Sequence, residues 1–192
     1  MPKREIGLMG YVGEAVVCQW LGSKYPPEEG YAVISQLRPV GVPAKGGPYL
    51  DFGVVKGGEL IVLHEVKSQD YIIDKSFKLN SSLLHVWSHR GEALEFVSQD
   101  GRHFQGLPDT AAYLVLLVGP NSGAIAKIGE ENLLNIILFS EIWEDEGWEL
   151  DCNALMAGIK EDIPKVLGIL KAPTVGRLIN KRFLESKSRL GR

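Results

Sequence analysis

The feature that most limits how this chain can fold is the stretch YLDFGVVKGGELIVLHEVKSQD, which begins at Tyr49. Two apolar runs, residues 50–55 and 60–66, are separated by KGGE, in which two glycines permit the positive φ angles of a tight turn. Each run is apolar on both faces, as is typical of a strand in the middle of a sheet. The stretch therefore predicts a central β-hairpin.

Three charged residues interrupt these runs: Asp51, Glu65 and Lys67. A buried charge is costly unless it is paired or bound to a metal. With a three-residue loop the hairpin would place Asp51 opposite Glu65, whereas a two-residue loop would place it opposite His64. The site prediction rests on the three-residue loop, which brings all three charges to one face.

Two facing carboxylates repel each other unless a cation lies between them, and oxygen ligands that leave positions for water suit Mg²⁺ or Mn²⁺. A nearby lysine can hold an attacking water or neutralise charge on a phosphoryl oxygen. The arrangement thus favours metal-dependent hydrolysis of a phosphodiester. A structural ion-pair cluster at the end of the sheet is the alternative explanation.

Residues 7–25 are predicted to form a helix because one stripe of side chains recurs every three or four residues. The stripe consists of Tyr11, Glu14, Cys18, Leu21 and Tyr25. We expect it to face the core, so its single acid, Glu14, must reach water, pair, or help to bind a cation. Cys18 and Cys152 are far apart and suggest neither a disulfide framework nor a zinc site, and we expect both to be small buried hydrophobes.

The remaining pattern predicts strands over 31–37 and 112–118 and a helix within 72–90. Residues 91–110 receive no firm assignment, and 131–143 are ambiguous between helix and strand. Further helices are expected towards the C-terminus. The order of helix, strand, hairpin, helix and strand is that of an α/β sandwich.

Charge is distributed unevenly, because residues 165–192 carry eight Lys and Arg against one acid in a chain of net charge −3. A basic end of this kind suits a polyanion, and Arg177, Lys181 and Arg182 would lie on the second helix of a helix-turn-helix. A basic capping helix is the alternative. The apolar runs are short and there is no signal-peptide pattern, so we expect a cytoplasmic protein without a membrane span. The sequence contains no glycine-rich phosphate-binding motif, so a nucleotide cofactor is not expected.

These features resemble the PD-(D/E)XK nuclease superfamily over about residues 7–119. The resemblance is carried by GE at 13–14 in the first helix, GYAVI at 30–34, LDFGVV with Asp51, and LIVLHEVKS with Glu65 and Lys67. It implies a restriction-endonuclease-like three-layer α/β/α sandwich around a mixed central sheet. The nuclease-like core would occupy residues 1–130, and a mainly helical extension with a basic tail, packed on the core, would occupy 131–192.

The resemblance also implies roles for individual residues. Asp51 and Glu65 would be metal ligands with the Val66 carbonyl as a third, Lys67 the catalytic lysine, Glu14 the helix-borne acid and Gln69 an accessory polar group. Leu50 stands where the superfamily's name has Pro, and the body of the chain is not basic. The expected function is a Mg²⁺- or Mn²⁺-dependent nuclease acting on DNA, compatible with a homodimer; the alternative is a non-catalytic DNA-binding or assembly protein that keeps the nuclease fold.

Overall fold

The computed structural model describes residues 3–42, 49–67, 81–89, 91–106, 112–116 and 135–157. Its elements in chain order are α1 (Lys3–Lys24), β1 (Tyr31–Pro39), β2 (Leu50–Lys56), β3 (Glu59–Lys67), α2 (Ser81–Ser88), β4 (Leu94–Ser98), β5 (His103–Gly106), β6 (Ala112–Leu116), β7 (Asn135–Leu138), α3 (Phe139–Glu144) and α4 (Cys152–Ala157). A short 3₁₀ turn, Pro27–Glu29, joins α1 to β1. None of the helices in these ranges has the length and apolar composition needed to cross a membrane.

Strand β3 is the centre of a seven-stranded mixed sheet. It pairs antiparallel with β2 along one edge. Along its other edge it pairs parallel with β5 at its start and with β6 at its end. The charged C-terminal residues of β3 are paired with β6 along one edge, whereas the pairing with β2 along the other edge ends at His64.

Five of the strands close into a barrel-like ring, which the sequence does not predict. Strands β2, β1, β4, β5 and β3 are neighbours in that order, and the pairing of β2 with β3 completes the ring. The hairpin β4–β5 supplies the closure, and it comes from residues 91–110, the region that sequence patterns leave unassigned. Its strands are only five and four residues long, too short for a clear alternating pattern.

The predicted hairpin forms, but the expected three-residue loop is wrong. Lys56 pairs with Glu59, so the loop is Gly57-Gly58, and both glycines have positive φ. A bulge follows, because Val55 lies opposite Leu60 while Val54 lies opposite Val62. The extra residue in β3 shifts the register by one, as the longer loop would have done.

The buried face of α1 also differs from the expected stripe. Tyr11 is 42% exposed and Cys18 is exposed as well, so neither belongs to the core and the prediction of a buried Cys18 is wrong. The α1 residues buried in the hydrophobic core are Val12, Val16, Val17, Trp20 and Leu21. This stripe lies beside the expected one and shares only Leu21 with it, because aliphatic side chains displace the amphipathic ones from the core. Glu14 is half-buried at its border.

Residues 135–157 fasten the C-terminal half of α1. The ambiguous segment contains both predicted types of structure, since β7 extends the sheet parallel to β6 and α3 follows it directly. Trp20 Nε1 donates a hydrogen bond to Asp145 Oδ2 over 2.6 Å, and the side-chain amide of Gln19 exchanges two hydrogen bonds with the Asp151 backbone. The predicted boundary at residue 130 therefore separates β7 from the sheet to which it belongs. The last of the helices predicted towards the C-terminus lies outside the described residues.

Gly53 of β2 offers a test of the packing beside Asp51. A Cβ at this position would lie 2.1 Å from Leu37 Cδ1 and 2.6 Å from Leu60 Cδ1, so Gly53→Ala must displace two core side chains. We expect a loss of about 1–3 kcal/mol in the free energy of unfolding, measured by urea denaturation.

The matched control is Gly22→Ala in α1, where a Cβ meets nothing within 4 Å. Alanine is the better helix former, so this variant should gain about 0.5–1 kcal/mol. Equal stabilities for the two variants would contradict the packing described around Gly53.

Candidate active site

The hairpin brings Asp51 and Glu65 to facing positions. Phe52 lies opposite His64 in the β2–β3 register, and continuing that register by one residue sets Asp51 opposite Glu65. Lys67 is two residues beyond Glu65 and therefore on the same side of β3. The structure thus brings the three charged residues together, by a bulge rather than by the expected loop.

Two hydrogen bonds connect the charged residues across and along the strands. The backbone N–H of Val66 donates to Asp51 Oδ2 over 2.7 Å. Lys67 Nζ donates to Glu65 Oε1 in a short ion pair. The Glu65 side chain is only 2% exposed, whereas that of Lys67 is 26% exposed. Glu65 is therefore the more deeply buried of the two side chains, and the ammonium of Lys67 lies closer to solvent.

The carboxylates carry more negative charge than the single lysine compensates. Burial and the neighbouring Glu65 raise the pKa of the Asp51 carboxyl to about 7, and Glu14 contributes in the same direction. Burial and Glu65 likewise raise the pKa of Glu14, against a lowering by Lys67. Helix α1 therefore holds Glu14 close enough to act on the same cluster.

His64, the residue before Glu65, belongs to the core. Its side chain is 2% exposed, and its ring lies edge-on to that of Trp20 with the ring centroids 6.1 Å apart. Burial, with a smaller effect of Lys24, lowers the pKa of His64 to about 3, so the imidazole is neutral at physiological pH. Its packing helps to hold β3 against α1 rather than adding a charge to the cluster.

The donor set is suited to a hard divalent cation held by two carboxylates. Within the part of the chain that the structure describes, no group of three or more His, Cys, Asp and Glu residues could hold a metal ion. Mg²⁺ commonly takes one or two carboxylates and completes its shell with water and substrate oxygens. Asp51 and Glu65 offer that number of carboxylates. Burial first, and then the negative charge of Glu65 and Glu14, raise the pKa of Asp51, and a bound cation would offset both effects.

The remaining predicted site residues stand as follows. The contact made by Val66 is through its amide hydrogen, not through the carbonyl that the resemblance assigns as a ligand. Gln69 and the predicted nucleic-acid-binding residues Arg177, Lys181 and Arg182 lie outside the described residues. One residue beside the site was missed altogether: Gln36 of β1, whose positive φ has no signal in the sequence.

Comparison with known proteins adds no relative. No protein-family model matches the chain, and neither the curated proteins nor the solved structures give a match.

The raised pKa of Asp51 predicts how the stability of the metal-free protein changes with pH. The ordinary pKa of this carboxyl is 3.8, against about 7 in the fold, so between these values the folded protein binds more protons than the unfolded chain. The free energy of unfolding should therefore fall as pH rises from about 4 to 7. Asp51→Asn removes this titration and keeps an acceptor for the Val66 N–H. We expect the variant to be more stable than the wild type to urea at pH 8, and the difference to vanish near pH 4.

Asp100→Asn is the control of opposite sign. Hydrogen bonds from Arg102 and Ser98 lower the pKa of the exposed Asp100 to about 2. Its contribution to stability is present above pH 4 and lost as pH falls through about 2, so this variant should be no more stable than the wild type at pH 8. If Asp51→Asn is also no more stable at pH 8, the electrostatic account of the cluster is wrong.

Proposed function

We propose that this protein is a divalent-metal-dependent nuclease that hydrolyses phosphodiester bonds in DNA, on a restriction-endonuclease-like α/β core. The observation that carries the proposal is the cluster of Asp51, Glu65 and Lys67 at one end of the hairpin, with Glu14 of α1 acting on it electrostatically. A phosphodiester is anionic and repels nucleophiles, so a carboxylate-bound cation together with a positioned ammonium would accelerate its hydrolysis.

The order of the elements supports the same proposal. Helix α1 precedes three consecutive antiparallel strands, and a later strand, β6, pairs parallel with the strand that carries Glu65 and Lys67. The order of helix, strand, hairpin, helix and strand that the sequence predicts corresponds to α1, β1, β2–β3, α2 and β6, with the hairpin β4–β5 inserted before β6. The five-stranded closure is an addition to that order and does not displace the hairpin that carries the cluster.

Each residue of the cluster has a distinct task in the proposed reaction. Asp51 and Glu65 would hold Mg²⁺ or Mn²⁺, which when bound orients and activates a water and stabilises charge on the phosphoryl group. Lys67 is held beside Glu65 by their ion pair, from where its partly exposed ammonium can meet a phosphate oxygen. The Val66 N–H fixes one oxygen of Asp51 and leaves the other available as a ligand.

The choice of DNA as substrate rests on the resemblance and on the basic tail. The described part of the chain bears the acidic cluster, whereas the excess of Lys and Arg falls within residues 165–192. We assign phosphate binding outside the active site to that tail, including Arg177, Lys181 and Arg182, and we place the activity in the cytoplasm. The homodimer stays a prediction from the sequence.

A nuclease assay with matched variants tests the proposal. Duplex, single-stranded and branched DNA would be incubated with the wild-type protein and Mg²⁺ or Mn²⁺, and cleavage followed on denaturing gels. We expect metal-dependent cleavage by the wild type and a loss of about 10²–10³-fold in rate for Lys67→Ala, because the group that meets the developing charge is removed. Asp51→Asn should lose cleavage and also weaken Mg²⁺ binding measured by calorimetry, whereas Lys67→Ala should still bind the ion.

Lys56→Ala is the matched control for removing a lysine from the same hairpin. Lys56 lies beside the loop, exposed, with Nζ 4.0 Å from the ring centroid of Tyr31, and it makes no part of the cluster. This variant should cleave like the wild type. An absence of metal-dependent cleavage on all three DNA forms, with Mg²⁺ binding also absent, would leave the charges as a structural ion-pair cluster and overturn the proposal.

A further inference from the structure

We propose that the left-handed backbone conformation at Gln36 positions Asp51 for metal binding, and that the peptide backbone, not the Gln36 side chain, does so. Gln36 lies in β1, and no sequence pattern or expected role singles it out. The inference rests on the proposed function, because it concerns the carboxylate that would hold the metal.

The first observation is the conformation itself. Gln36 has a φ of 57°, and it is the only non-glycine residue with positive φ in the described ranges. Residues other than Gly, Asn and Asp rarely adopt this conformation, and inside a strand it disrupts the extended backbone. Such residues persist when the surrounding structure holds them, and they cluster at functional sites.

The second observation is a gap in the strand pairing at Asp51. In the β1–β2 register, Ser35 pairs with Phe52 and Leu37 with Leu50, so Gln36 is the residue that would face Asp51, and that pair is missing. The β2–β3 pairing ends at Phe52. Asp51 is therefore the one residue of β2, a strand described in full, that is paired with neither neighbouring strand.

The third observation shows what holds Gln36 in this conformation. Its carbonyl accepts a hydrogen bond over 3.0 Å from the N–H of Gln99, in the β4–β5 turn. Burial along β1 changes phase at the same point, since Ile34 is buried before it and Leu37 and Pro39 after it. The two inward-facing residues Ile34 and Leu37 are thus three apart, where a regular strand requires an even separation.

The fourth observation is the space into which Leu37 turns. Leu37 Cδ1 occupies a position 2.1 Å from where a Cβ of Gly53 would lie. Gly53 is the only glycine in β2 and stands two residues from Asp51. A glycine at this position admits Leu37, and Leu37 in turn requires the change of phase at Gln36. The positive φ at Gln36, the glycine at position 53 and the absence of strand pairing at Asp51 therefore form one local arrangement.

The consequence is that Asp51 takes its position from two contacts of different kinds. The left-handed conformation of Gln36 prevents strand pairing between β1 and Asp51, and the Val66 N–H holds the Asp51 carboxylate towards Glu65. An extended residue at position 36 would restore pairing between β1 and Asp51 and draw the carboxylate away from Glu65. Gln36 is a positioning residue in this account, since no contact with substrate or metal is assigned to it.

Three variants separate the backbone from the side chain. Gln36→Gly adopts positive φ freely, Gln36→Asn tolerates it and retains an amide, and Gln36→Val strongly disfavours it because of its branched Cβ. Calorimetric titration with Mg²⁺, checked by circular dichroism for folding, should give wild-type affinity for Gln36→Gly and Gln36→Asn. Gln36→Val should bind Mg²⁺ about tenfold or more weakly, the range found when groups that orient metal ligands are changed.

Ser35 provides the matched control. It is the exposed neighbour of Gln36, has no positive φ and pairs with Phe52. Ser35→Val should bind Mg²⁺ like the wild type and unfold at an equal or higher temperature, whereas Ser35→Gly should unfold at a lower one. At position 36 the order of unfolding temperatures should be reversed, with Gln36→Gly above Gln36→Val.

The outcomes distinguish this inference from the proposed function. No Mg²⁺ binding by the wild type overturns the proposed function and with it this inference. Wild-type binding that Gln36→Val retains in full overturns only the positioning role, and equal weakening in Gln36→Gly and Gln36→Val overturns it in favour of the side-chain amide. If Gln36→Val does not fold, Gln36→Thr replaces it. If neither folds, while Gln36→Gly folds and binds Mg²⁺, the result supports the requirement for positive φ at position 36.

Discussion

The electrostatic repulsion among partly buried carboxylates is the constraint around which the described structure is organised. Asp51, Glu65 and Glu14 come from two strands and a helix, and a single ammonium, that of Lys67, stands among them. Burial and the neighbouring carboxylates raise the pKa of Asp51 and of Glu14, so the charged forms of these two groups are destabilised. Clusters of carboxylates with strongly shifted pKa values are more frequent at functional sites than elsewhere in proteins.

The backbone around the cluster departs from regular β structure in two places, and both departures affect Asp51. The bulge near the hairpin loop adds one residue to β3, which turns a two-residue loop into the register that sets Asp51 opposite Glu65. On the other side, the positive φ of Gln36 removes β1 from the pairing at Asp51. A regular ladder with the same loop would have placed His64 opposite Asp51 and separated the carboxylates onto opposite faces. Irregular pairing beside a functional residue is a recurrent use of bulges in sheets.

The sequence predicted those elements whose patterns are long and strongly apolar. The hairpin strands, β1, β6 and the first helix fall where the periodicity places them. It did not predict the bulge or the conformation of Gln36, because each depends on packing between strands far apart in the chain. The prediction of which face of α1 is buried was also wrong. The stripe that contains Tyr11 and Cys18 lies beside a stripe of aliphatic residues and Trp20, and only packing against the strands decides which of the two is buried. For the site, the sequence predicted that Asp51, Glu65 and Lys67 lie on one face of the hairpin, but for a loop of the wrong length. The bulge in β3 compensates for the shorter loop, so the three residues still share a face.

The most direct measurement is a crystal structure of the protein grown or soaked with Mn²⁺, with anomalous diffraction used to locate the ion. The account predicts an anomalous peak at an ion bound by carboxylate oxygens of both Asp51 and Glu65. Crystals of Asp51→Asn soaked in the same way should lack the peak. An anomalous peak elsewhere, or an Asp51 and Glu65 that remain without a shared ion at saturating Mn²⁺, would contradict the metal site on which the proposed nuclease depends.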